Sequence, residues 1–359
     1  LDNVTHTLFG ATLARAAFPR AGRGTTAALL LASNAPDTDI VMTAGGALNY
    51  LTWHRGPTHG PLGVIGLGAA TAALVWIGQR WLDRGRQADH AGFPTLFFAS
   101  AVGLVAHVLM DLPTSYGTRL LSPFDWSWYA ADLMPIVDVY LLAVLGAGLF
   151  IGWRAPALRR RSATMVLAFM AVNYGVRAVA HQRAVGVAPQ LLAPVLAPPC
   201  TDAGAGRLLD RWPADVAGRR ERGTARCLVE IAAIPTFLSP FRWQVIARLS
   251  DAYELLDLNL LDEPTGGDQL WRDAARHPDH WTPAVLRAAE SDVGRVFLGF
   301  SRFPATTSIL NVDGSVVVTW TDLRFVGAPR RRPGASRGLF SALVTLAPDG
   351  RVVGGRLGE

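Results

Sequence analysis

Seven side chains able to bind a divalent cation are scattered through the first third of this chain: His6, Asp37, Asp39, His54, His59, His107 and Asp111. Imidazole and carboxylate supply the usual nitrogen and oxygen ligands of zinc and its first-row neighbours. Such groups are costly to keep inside or beside apolar helices, so retaining seven of them there points to metal binding. His107 and Asp111 stand four apart in AHVLMD, which puts both on one helical face. Taken alone, that pair reads as a packed histidine beside a helix-capping carboxylate; the other candidates reverse the reading.

Asp37 and Asp39 follow Pro36 in NAPDTD, where proline has ended an apolar helix. Either acid could cap the next helix. As a pair they could instead supply a carboxylate bridging two cations, or a general base. In HRGPTH, His54 and His59 flank a tight Gly-Pro turn. Arg55 beside them carries a planar fork suited to a pair of phosphate oxygens. The alternative is a surface turn with incidental histidines.

The elements that must position these groups are membrane helices. Of 359 residues, 50% are hydrophobic, and the mean hydropathy is +0.24, too apolar for an ordinary soluble enzyme. The excess lies before residue 200. Stretches 61–79, 93–110, 135–153 and 162–181 each approach the length needed to cross a hydrocarbon core of about 30 Å. Asn173 and Arg177 interrupt the fourth. Stretches 5–18 and 25–36 are apolar but short, which predicts a helical hairpin packed against the spans. The beginning of the chain lacks the basic region and small-residue cleavage site of a secretory signal, so the first helix is expected to be retained.

The expected architecture is a mainly α membrane domain, four transmembrane helices plus the short hairpin, over residues 1–188. A proline-rich linker at 189–199 and a small α+β soluble domain at 200–359 follow. In the latter, β-branched and alternating runs separated by Asp-Gly turns predict hairpins, and the period of 273–289 predicts a helix.

Orientation follows from the arginines, which account for every basic residue of the chain. Arg15, Arg20 and Arg23, then Arg80, Arg84 and Arg86, then Arg154, Arg159, Arg160 and Arg161 all fall on one side, read as cytoplasmic. All seven candidate ligands fall on the other. The net charge of +6 is thus accounted for by topology, and no nucleic-acid partner is expected. If the fourth crossing is real, the soluble domain is extracytoplasmic, where Cys200 and Cys227 could oxidise. Trp243, Trp320 and Arg324 read as core in preference to a cover for the metal site, and His277 and His280 in HPDH as exposed.

The stretches DNVTHTLFGATLARA, NAPDTDI, HRGPTHG, AHVLMDLPTSYGTRLLSPF and WYAADLMPIVDVY, with IPTFLSPFRWQVI, FLGFSRFP and WTDLRF further on, resemble the YdjM-type family of inner-membrane metal-dependent hydrolases. The resemblance implies an integral membrane hydrolase whose domain is distantly similar to zinc-dependent phospholipase C and P1-type nucleases. It implies His6, Asp37, His54, His59, His107 and Asp111 as ligands of a divalent metal, zinc above all, with two or three ions. Asp39, Asp132 and Asp138 match acidic positions without an assigned role. Where the family often has Ser after the second histidine, this chain has Gly60.

The expected chemistry is attack of a metal-activated water on a phosphoester or related ester of a lipid-like substrate, with membrane lipid the natural partner at the inner membrane's outer face. Asp37 or Asp39 would bridge or act as base, and Arg55 would stabilise phosphoryl charge. Two other classes compete. A non-catalytic metal-stabilised scaffold or regulator would show closed tetrahedral coordination. Transport would call for inverted repeats and broken helices, which the sequence lacks beyond the amino-terminal hairpin.

Overall fold

A computed structural model describes residues 1–82, 89–200, 209–212, 226–262, 274–326 and 340–358. The chain divides into two compact units, one of residues 1–44 and 53–178, the other of 45–52 and 179–359.

The first unit is helical. α1 (Asn3–Ala17) starts where the Asp2 side chain accepts the Thr5 N–H, and α2 (Thr25–Ala32) follows a left-handed Gly24. The residues after Pro36 do not form a loose loop but an eleven-residue 3-10 stretch, Ala35–Gly45. α4 (Pro61–Leu82) and α5 (Phe93–Asp111) are long and apolar enough to cross a membrane, as is the continuous segment Pro156–Leu191, which contains α7 (Arg159–Leu191). α6 (Val139–Arg154) starts late because Asp138 caps it, accepting the Leu141 N–H at 2.9 Å. At 16 residues, or about 24 Å, α6 is shorter than the other three. Among the described residues, three helices of membrane-spanning length and composition therefore stand where four crossings were expected. A short strand β1 (Trp128–Ala130) lies between α5 and α6.

Proline does not end α7 at residue 189. Pro189 sits inside the last turn, two residues before the helix ends at Leu191. Its missing N–H removes one bond near an end that is fraying anyway, and buried Ala188 and Leu192 hold the turn by packing. The first residues of the expected linker are thus helical.

The second unit is β-rich. It includes α3 (Ala47–Trp53) up to Thr52 and a short strand β2 (Asp210–Trp212). One antiparallel sheet contains β3 (Leu228–Pro235), β4 (Arg242–Leu249), β5 (Ala252–Asn259) and β6 (Ala275–Pro278) in order. The other contains β7 (Pro304–Leu310), β8 (Val316–Asp322), β9 (Ser341–Leu346) and β10 (Val352–Leu357). Alternation along β4 sends Trp243, Val245 and Ala247 to the tail of α7, and Ile246 to the opposite face with Phe303 and Leu323. α8 (Pro283–Ala289) and α9 (Asp292–Phe300) cover β8 and β9 through Val285, Phe297, Trp320 and Val344.

The helix expected at 273–289 is half strand: residues 275–278 pair with β5, and only 283–289 are helical. Pro278 and Pro283 divide the segment, and Thr282 caps what remains. Asp273 lies outside the described residues. Trp243 and Trp320 are core, and Arg324 is fixed on Asp322 at 2.6 Å. Cys200 and Cys227 are joined by a disulfide.

Candidate metal centre

The centre is assembled in the first unit from three segments brought to the ends of α4 and α5. α2 packs closely on α5 because Gly103 has no side chain: a Cβ there would lie 3.0 Å from the Ala32 Cβ and 3.3 Å from the Leu29 carbonyl. That approach sets the Ser33 carbonyl 2.8 Å from His107 Nδ1. Nδ1 then donates, which orients the ring and turns Nε2 toward His59, Asp37 and Asp111.

His59 ends the HRGPTH loop two residues before α4. Its Nδ1 lies 3.0 Å from Thr58 Oγ1, which turns Nε2 toward the same point. Gly60 is a requirement of this approach, since a Cβ would stand 1.8 Å from the Ser122 carbonyl oxygen. The departure from the family's serine is therefore a packing feature.

Asp37, His59, His107 and Asp111 each place one donor atom within 4.8 Å of all the others. His107 Nε2 is 3.3 Å from His59 Nε2, 3.4 Å from Asp111 Oδ2 and 3.6 Å from Asp37 Oδ1. His59 Nε2 is 3.5 Å from Asp111 Oδ2 and 3.8 Å from Asp37 Oδ1. Four ligand atoms around a tetrahedral zinc with bonds of about 2.0–2.2 Å would be about 3.3–3.6 Å apart. The donor set and spacing thus fit a small divalent cation. Asp111 Oδ2 has charged and imidazole neighbours at 3.3–3.5 Å but no well-directed hydrogen bond, which leaves it able to take a cation.

His6 stands just outside this group. Its Nε2 is 3.2 Å from Asp111 Oδ1, and its ring stacks on His107 with centroids 3.9 Å apart. Asp111 therefore turns one oxygen to the four-donor group and the other to His6.

His54 is drawn elsewhere. Its Nδ1 is 3.2 Å from Asp39 Oδ2, while the same carboxylate accepts the Arg55 backbone N–H at 2.7 Å. His54 and Asp39 thus tie the histidine loop to the 3-10 stretch and are not in the four-donor group. Arg55 is 5% exposed and has positive φ. Its guanidinium meets Asp111 Oδ2 at 3.3 Å, donates to the Gly117 carbonyl at 3.0 Å and lies over the Tyr116 ring. The expected contact with phosphoryl oxygens is not open to it in this arrangement; it balances the charge of Asp111.

Burial sets the protonation of the groups outside the spans. It pushes His6 down to about 4 and depresses His59, in which His107 and Arg55 assist. For Asp37 burial works upward, but the hydrogen bond and charge of His107 outweigh it and hold the carboxyl at about 2. The neutral forms of His6 and His59 and the ionised form of Asp37 are those a cation binds.

The remaining acids have other work. Asp138 caps α6 and pairs with Arg177 at 2.6 Å, both side chains fully buried. Asp125 accepts from the Ser127 N–H and the Tyr129 hydroxyl. Asp132 is buried with positive φ. Arg177, which in the sequence only interrupts an apolar stretch, has its partner in Asp138; an arginine inside an apolar helix is itself the signal of such a pair. The Ser33 carbonyl had no signal, because any residue supplies one. In the second unit, His280 is exposed and His277 half-buried.

A curated relative, the uncharacterized protein YfhP of Bacillus subtilis (strain 168), is 28% identical over 149 residues. The match covers 39% of this chain and 43% of that protein, so it spans less than half of either. No solved structure matches the chain. The helical region that carries all seven candidate ligands matches, over residues 1–184, the family described as YdjM inner membrane protein, and by that match the chain belongs to this family.

Proposed function

We propose that the protein is a multi-pass inner-membrane hydrolase that cleaves a phosphoester or related ester of a lipid-like substrate at a divalent-metal centre. The observation that carries the reading is the gathering of two imidazole nitrogens and two carboxylate oxygens beside apolar helices, with one of the four, Asp37, partly open to solvent. Zinc suits these ligands. A bound divalent ion would supply a Lewis acid that brings the pKa of a coordinated water toward neutrality.

The chain's own groups divide the remaining work. His59, His107 and Asp111, with side chains fully buried, would hold the ion. Asp37, 17% exposed, is the member of the set open to solvent. It would orient the attacking water and take its proton. Arg55 holds Asp111 in place and offsets its charge. His6, on the second oxygen of Asp111, is the position from which a further ion would be held. The substrate headgroup would enter past Asp37 while its chains stay among the apolar helices.

The topology proposed is four crossings, with α6 the shortest, and the metal centre and second unit outside the cytoplasm. The arginine distribution and the Cys200–Cys227 disulfide support it. A second reading, a metal-stabilised scaffold, is favoured by one observation: three of the four donors are sealed from solvent.

One experiment separates the two. Metal content of the detergent-purified protein is measured beside turnover of a phospholipid and phosphodiester panel, for the native chain and for Asp37→Asn. Hydrolysis requires turnover by the native protein that falls at least about a hundredfold in the variant while metal is retained. Bound metal with no turnover on any substrate leaves the scaffold.

A further inference from the structure

In the second unit, α7 enters at the end of the β3–β6 sheet that carries Trp243. Ala180, Ala184, Ala188 and Leu192 form a stripe along the tail of α7, buried against Ala233, Trp243, Val245, Ala247, Leu256 and Leu258. Pairing sets Pro235, Trp243 and Leu258 side by side at one end of this sheet. Leu228 pairs with Leu249, and Ala252 with Pro278, at the other end.

The His181 ring lies 5.4 Å from Trp243. Beyond α7 the chain reaches the opposite end, where the Cys200 N–H bonds the Leu228 carbonyl at 2.8 Å. The helix therefore runs from the Trp243 end to the Leu228 end, so that the chain arrives from its apolar span at the Trp243 end.

Two connections flank that point of entry, the one from β3 to β4 and the one leaving β5. They leave Phe237 52%, Leu238 68% and Leu261 68% exposed. Arg183 on α7 and Arg242 at the start of β4 are exposed at this end, as are Asp257 and Asp262. The far end is ionic: Asp251 pairs with both Arg226 and Arg276. Apolar side chains with neighbouring arginines, next to a membrane-spanning helix, match the water–lipid boundary, where apolar groups sink and guanidiniums stay at headgroup depth.

We infer that the Trp243 end of this sheet rests in the interfacial layer of the bilayer that α7 crosses, with Phe237, Leu238 and Leu261 inserted among the lipids. The docking surface is independent of the metal centre's chemistry. It holds the second unit at a fixed tilt where a single helical connection would leave it free to swing.

The test uses the full chain in nanodiscs of phosphatidylcholine and phosphatidylglycerol. Phe237→Cys, Leu261→Cys and, at the charged end, His280→Cys are each labelled with an environment-sensitive fluorophore. Both native cysteines are held in the disulfide and do not compete for label. All three positions are on or next to the surface, so folding is preserved, and intact disulfide on a non-reducing gel checks it. The expected result is blue-shifted emission at 237 and 261, with quenching by nitroxide lipids several-fold stronger than at 280 and iodide quenching in the reverse order. Equal iodide access at all three positions, or equal lipid quenching at all three, overturns the inference.

Discussion

At the level of single residues, the two histidines of HRGPTH are chemically equivalent in the sequence and differ completely in place. His59 points Nε2 at His107 Nε2, 3.3 Å away, whereas His54 spends Nδ1 on Asp39. What separates them is the direction that Gly56, Pro57 and the positive φ of Arg55 impose on the intervening backbone. His59→Ala should therefore remove bound metal, and His54→Ala should leave the metal-to-protein ratio unchanged while loosening the loop. Elemental analysis of the two purified variants checks this, and equal loss from both would place His54 among the ligands. Chemical type was legible at this scale: six ligands were expected, four share one point, and His6 borders it. The choice among them was not legible, because it depends on rotamers and on backbone groups such as the Ser33 carbonyl.

At the level of elements, apolar length located α4, α5 and α7 to within a few residues at most ends, since hydrophobic runs bounded by Gly, Pro or Arg leave little choice. The α7 end differed because packing of Ala188 and Leu192 prevails over the proline signal at 189. Hairpins marked by Asp-Gly turns were readable for the same local reason, whereas α9 was missed among neighbouring strands. The buried Asp138–Arg177 pair is an element-scale feature with a testable energetic consequence. It joins the cap of α6 to the middle of α7 where neither charge can reach water. Asp138→Ala or Arg177→Met alone should strand a buried charge and cost about 3–5 kcal/mol. Replacing both by apolar residues should recover most of that loss. Thermal unfolding of the two single variants and the double variant in detergent measures the coupling, and simple additivity would show that the pair contributes nothing as a pair.

At the level of the whole molecule, the segregation of charge along the chain has a redox consequence. The arginine-rich connections and the cysteines belong to different compartments under the proposed topology, and only the outer one sustains a disulfide. Cys200 and Cys227 are 27 residues apart, and on the loop-entropy account a cross-link closing a loop of that size contributes about 3–4 kcal/mol. Because the bond joins the segment after α7 to the residue before β3, its loss should loosen the Leu228 end of the sheet. The Cys200→Ser, Cys227→Ser variant should unfold at lower temperature in its second unit and keep its full metal content, since all four donors lie in the first unit. In whole cells, a membrane-impermeant maleimide should label the native chain only after a reductant has been added from outside. Labelling without reductant would remove the disulfide, and protection that persists after reduction and outer-membrane permeabilisation would put the second unit in the cytoplasm.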